Sequence, residues 1–134
     1  MDLLAVRFML EPEIAALAAK NATNEQIEEL ILQCDKVEHL ILDGENHLEE
    51  DILFHKMIAT CSGNQVVSNL IPVINSSVTL SGNVTYRKLK QETIQTHRAV
   101  TNAIAKHDQE GAKYAMYMHL TYNRELILKL AESE

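Results

Sequence analysis

His97 and His119 lie 22 positions apart, and their midpoint, residue 108, falls in a turn signal, His107-Asp108. Asp108 is a good helix N-cap. The stretches on either side, from about Tyr86 to Lys106 and from about Gln109 to Ala131, both carry helical patterns. In an antiparallel helix pair, residues equidistant from the turn lie at the same height. About 11 residues at 1.5 Å each put either histidine roughly 16 Å from the turn. The spacing therefore predicts a helical hairpin across which two imidazoles face one another. His97 shares its arc with Thr93, Val100, Thr101 and Ile104, and His119 shares one with Ala112, Ala115, Leu126 and Leu130. Both are polar residues on core-facing stripes.

Upstream, the chain reads as more helices. Residues 2 to 20 hold an alanine-rich run (Ala15, Ala16, Ala18, Ala19) and a stripe of Leu3, Leu10, Ile14 and Leu17. Arg7 falls inside that stripe. It can snorkel or pair with Glu11 one turn on, or it can point a cation into a cavity toward an anionic ligand. Thr23 with Gln26 fits a capping box and opens a helix from about Asn24 to Leu42, ended by Asp43-Gly44. A third helix is expected from about Glu45 to Cys61. Asn64 is a plausible N-cap for a fourth, from about Gln65 to Leu80, which Pro72 should bend or interrupt. Ser81-Gly82-Asn83 breaks the chain again.

The third helix carries Asp51-Ile-Leu-Phe-His55. Asp51 and His55 are four apart and stack on one helix face. On the wheel, Ile52, His55 and Ala59 fall within about 40° of Leu48, and Asp51 about 60° away. A carboxylate in or beside an apolar arc is costly unless paired or metal-bound. Asp51, His55, His97 and His119 are thus four polar intrusions into core-facing stripes on three helices. One carboxylate and three neutral imidazoles suit a divalent transition metal; zinc is the first expectation and nickel or another ion stays open, since ligand type alone does not choose among them. His47, one turn before Asp51, is a candidate extra ligand, although a solvated surface position is the plainer reading. His39 and His107 read as helix-end or surface residues.

Composition narrows the function classes. The chain has 134 residues, one domain's worth, and 46% of them are hydrophobic. Four glycines and two prolines disfavour an all-β fold with many tight turns. A net charge of −7 argues against this chain gripping a nucleic-acid backbone by itself. Cys34 and Cys61 lack CxxC spacing and read as free thiols of a cytoplasmic protein. No signal peptide and no membrane-spanning run is visible.

Taken in order, the motifs resemble a known family. They are Arg7-Phe-Met-Leu-Glu11, Asp51-Ile-Leu-Phe-His55, Cys61-Ser-Gly-Asn64, Thr96-His97-Arg98-Ala99-Val100 with Ala103-Ile104, then Asp108, Ala112 and Met118-His119-Leu120. Together they resemble the FCD domain, the C-terminal effector-binding domain of GntR-type bacterial transcription regulators of the FadR subgroup. The resemblance implies an all-α antiparallel bundle of about six to seven helices around a central ligand and metal cavity. It implies a metal held by Asp51, His55, His97 and His119, a small carboxylate effector completing the coordination, and a pocket-lining role for Arg7. It also implies a homodimer whose DNA binding belongs to an N-terminal winged helix-turn-helix absent from residues 1 to 134.

The expected function is therefore sensing, with no catalysis. Two other readings compete. A helical-bundle metal-dependent hydrolase or isomerase would need a general base near an open coordination position, and only Glu49, Glu50 or His47 could be put forward. A plain helical dimerisation module would leave four satisfied polar residues in its core. Whether His47 or Arg98 joins the site is open at this level.

Overall fold

In the computed structural model the chain is all-helical, and no strand occurs among the described residues, which are 2–67, 69–74 and 88–132. Helix α1 (Asp2–Asn21) runs through Pro12. Helix α2 (Asn24–Leu42) opens on the expected capping box: Gln26 N donates to Thr23 Oγ1 at 3.1 Å, and Thr23 N donates to Gln26 Oε1 at 3.0 Å. Losing this cap by Thr23→Ala is expected to cost about 1 kcal/mol, read as a drop of a few degrees in thermal denaturation.

Helix α3 (Leu48–Cys61) starts three residues later than the periodicity suggests. The Asn46 side chain accepts the Leu48 amide at 2.9 Å, a local bond that competes with helix. In α4 the described helical residues are 65–67 and 69–74. Asn64 caps it, its Oδ1 accepting from Val66 N at 2.8 Å and Val67 N at 3.2 Å. The expected end of that helix near Leu80 and the break at Ser81-Gly82-Asn83 lie outside the described residues.

Helix α5 (Lys90–Ala105) also starts later than the pattern from Tyr86 suggests, since residues 88 and 89 are not helical. Leu89 at its N-cap offers no side-chain bond, so no residue type marked the boundary. Helix α6 (Gln109–Glu132) begins where expected, with Asp108 Oδ1 accepting from Gly111 N at 2.9 Å. Between the two, His107 takes φ +58° and donates from Nδ1 to the Ala19 carbonyl at 2.8 Å, pinning the turn to the end of α1.

Helix α5 packs on α6, α2 and α1, while α1 also packs on α6 and α3, and α2 on α3. The inward face of α1 differs from the leucine stripe. Leu4, Arg7, Glu11, Ile14, Ala15, Ala18 and Ala19 are buried, and Leu3, Leu10 and Leu17 sit at its margins. Alanines allow close approach between helices, which favours turning that face inward. Phe54, Leu30, Ile58, Ile104, Met116 and Leu120 fill the core. Arg98 Nη2 joins α5 to α2 through Asp35 (2.8 Å) and Glu38 (3.4 Å). Cys34 and Cys61 are buried and free. No helix among the described residues is long and apolar enough to cross a membrane.

Candidate metal centre

The helices bring the four sequence-selected residues together. Asp51 and His55 come from α3, His97 from α5 and His119 from α6. The ring centroids of His97 and His119 are 4.8 Å apart, as the symmetry about residue 108 requires. His55 lies 5.6 Å from the first ring and 5.3 Å from the second. One nitrogen from each of the three rings falls within 4.8 Å of the others. Asp51 Oδ1 sits 3.2 Å from His55 Nε2 and 3.3 Å from His97 Nε2.

Whether these residues fit a metal can be judged from their unsatisfied atoms. Asp51 Oδ1, His55 Nε2 and both nitrogens of His97 are buried without a hydrogen-bond partner among the described residues. Each such atom costs about 1–3 kcal/mol. Three of them converge on one point, so a single divalent cation would relieve them together. Ligands about 2.0–2.1 Å from a tetrahedral ion lie roughly 3.3 Å from one another, close to the two Asp51 separations. The donor types suit zinc or a similar ion, and the spacing fits around Asp51, His55 and His97, while the three histidine nitrogens spread to as much as 4.8 Å.

The surroundings hold the rings in place. Glu11 Oε1 accepts from His55 Nδ1 at 2.6 Å, and its other oxygen pairs with Arg7 Nε. Thr96 Oγ1 lies 2.9 Å from His119 Nδ1 and 2.7 Å from the Glu92 carbonyl. Phe54 packs on the His97 ring at 4.4 Å between centroids. Burial alone would raise Glu11, but the adjacent Arg7 and His55 hold its carboxyl well below the usual range. Asp51 is likewise held low by His97 and His55 against burial. Burial would lower His55, yet Glu11 and Asp51 raise it to about 9. His119 is pushed well below its ordinary value, by burial first and then by His97 and His55.

A pH dependence follows. A metal on His55 Nε2 must displace a proton that the metal-free ring keeps up to about pH 9. Lowering the pH strengthens the competitor. Affinity for zinc is thus expected to rise about tenfold per pH unit between pH 6 and 8 through this one proton. Titration against a chromophoric chelator at several pH values measures it, and a flat profile would contradict the His55 assignment.

Two residues depart from the sequence reading, and Arg7 follows one branch of it: its guanidinium is 2% exposed and pairs with Glu11 one turn on, with Nη2 left without a hydrogen-bond partner. His47 is buried and not solvated, at 3% exposure. It precedes the first turn of α3, so a helical wheel carried back to it misplaces its side chain. Burial lowers its pKa, with Asp51 opposing. Glu11 entered the sequence reading only as the i,i+4 partner of Arg7, yet it also touches the His55 ring. Arg98 is occupied by Asp35 and Glu38 on α2.

Residues 2–122 match the family model described as the FCD domain. Among curated relatives, the HTH-type transcriptional regulator YcbG of Bacillus subtilis (strain 168) is 30% identical over 129 residues, covering 95% of this chain and 54% of that protein. LutR, an HTH-type transcriptional regulator of the same organism, is 31% identical over 128 residues, covering 90% and 58%. A solved structure titled Streptococcus agalactiae GntR superposes with a TM-score of 0.81 at 34% identity, over 92% of this chain and 57% of that one. The chain spans little more than half the length of these relatives. The match over nearly all of its length, on an all-helical bundle with these motifs in order, shows that the chain belongs to the FCD domain family.

Proposed function

We propose that the chain is the ligand-sensing part of a bacterial GntR-type transcription regulator of the FadR subgroup. Asp51, His55, His97 and His119 would hold a divalent transition metal, zinc being the best fit to the donor set. When bound, that ion supplies a Lewis-acidic position at which a small carboxylate effector can complete the coordination. Arg7 is the candidate effector-binding side chain, because its Nη2 is buried and unpartnered. DNA contact would fall to a winged helix-turn-helix elsewhere in the protein, which would work as a cytoplasmic homodimer. Effector binding would act by favouring one placement of the DNA-binding heads over another. The similar proteins named as transcriptional regulators favour this reading over a hydrolase or isomerase.

The single observation that carries the reading is the convergence of Asp51 Oδ1, His55 Nε2 and His97 Nε2, buried and unsatisfied, beside His119. Elemental analysis of intact protein never exposed to chelator is expected to find stoichiometric metal. Small carboxylates are expected to raise the melting temperature further. Protein that holds no metal, and whose melting does not respond to zinc or nickel, would sink the reading.

A further inference from the structure

The three imidazoles differ in how they are held. Glu11 accepts from Arg7 Nε on one carboxylate oxygen and faces His55 Nδ1 at 2.6 Å with the other, so His55 Nδ1 is placed as the donor between them. That leaves His55 Nε2, the atom beside Asp51 Oδ1, as the ring's lone-pair position once its proton is displaced. At His119 the same conclusion comes from counting hydrogens. The Thr96 hydroxyl has a single hydrogen and three neighbours, the Glu92 carbonyl at 2.7 Å, His119 Nδ1 at 2.9 Å and, more weakly, the Thr93 carbonyl at 3.4 Å. A carbonyl cannot donate. The two shorter contacts are hydrogen bonds together only if the hydroxyl donates to Glu92 and accepts from His119 Nδ1–H. His119 Nε2 then faces the other rings. His97 has no such tether, since neither ring nitrogen meets a hydrogen-bond partner among the described residues.

We propose that Glu11 and Thr96 are positioning residues of the metal site, holding His55 and His119 as Nδ1–H tautomers that present Nε2, while His97 has no such hydrogen-bonded tether and rests on Phe54 beside the Asp51 carboxylate. This rests on the metal reading above. Arg7 extends the first tether by one step, because its guanidinium holds Glu11 in a place where an unpaired carboxylate would be strongly disfavoured. The second tether costs no buried charge: it uses a hydroxyl anchored on the carbonyl one turn back in α5. Hydrogen-bonded partners of this kind fix ring orientation and ligand basicity, and their loss typically weakens metal binding 10–100-fold.

Zinc affinity of the intact protein, measured by competition with a chromophoric chelator, tests the assignment together with ring-nitrogen NMR on 15N-histidine-labelled protein. Thr96→Val keeps the side chain's shape and removes the hydroxyl. It is expected to weaken zinc binding 10–100-fold, whereas Thr96→Ser stays near wild type. Glu11→Gln, which keeps an acceptor but loses the charge, is expected to fall in the same 10–100-fold range. In the wild type, NMR is expected to find Nδ1–H on His119 with and without zinc, and zinc on Nε2 of both His55 and His119. The spectrum of the metal-free protein reads the His119 tautomer directly, whatever the site binds. Zinc on Nδ1 of either ring would overturn the proposal, as would Thr96→Val binding within twofold of wild type. Wild-type protein that takes up no zinc would overturn the metal reading and the proposal with it.

Discussion

Replacing His97 and His119 together by alanine is expected to strip the protein of metal and abolish its thermal response to zinc. The two rings would supply half of the proposed four-ligand set and come from opposite arms of the α5–α6 hairpin. Asp51 and His55 alone, four apart on one helix, make a weak two-point site. An ion present at about 1,000 times its dissociation constant stabilises the folded state by about 4 kcal/mol. For a domain of this size that is roughly 8–16 °C in melting temperature. The quantity to compare is the zinc-induced shift in each protein and not the melting temperature itself, because losing two buried rings changes packing as well. An unchanged metal content in the double variant would remove these residues from the site.

The second large effect is expected at Phe54. Its side chain is fully buried and lies against the face of His97 and edge-on to His55. Phe54→Ala is expected to cost about 3–5 kcal/mol in chemical denaturation, since the surrounding helices can close only part of the cavity. It should also weaken zinc binding, because His97 has no hydrogen bond to keep its orientation once the ring beneath it is gone. Phe54→Leu retains most of the volume and should recover most of both losses. A cost under about 1 kcal/mol for the alanine variant would show that the ring is not held in the core as described.

The clustering of Asp51, His55, His97 and His119 was legible in the sequence because it rests on two robust regularities. Helical periodicity put Asp51 and His55 on one face, and the turn at Asp108 set His97 opposite His119. Boundaries with a side-chain cap, at Thr23, Asn64 and Asp108, were legible for the same reason: residue type and bond coincide. The starts of α3 and α5 were not, because neither His47 nor Leu89 makes a side-chain cap bond. Glu11 was missed for a different cause. In α1 leucines line one face and alanines another, and apolar periodicity cannot tell which turns inward. The choice is made by partners distant in sequence, among them His55, 44 residues away from Glu11. Thr96 was hidden because a threonine next to a histidine in a helix carries no signal of its own.

Drawing the site from α3, α5 and α6 has a mechanical consequence. An ion shared by His55, His97 and His119 would act as a reversible cross-link, closing two long loops of the chain at one knot. Because the ion binds only where the three helices meet, any opening that separates them must first release it. Occupied, the three helices could no longer fray separately. Their slowest amide protons would exchange only when the whole domain opens, and emptying the site would let each helix open on its own terms.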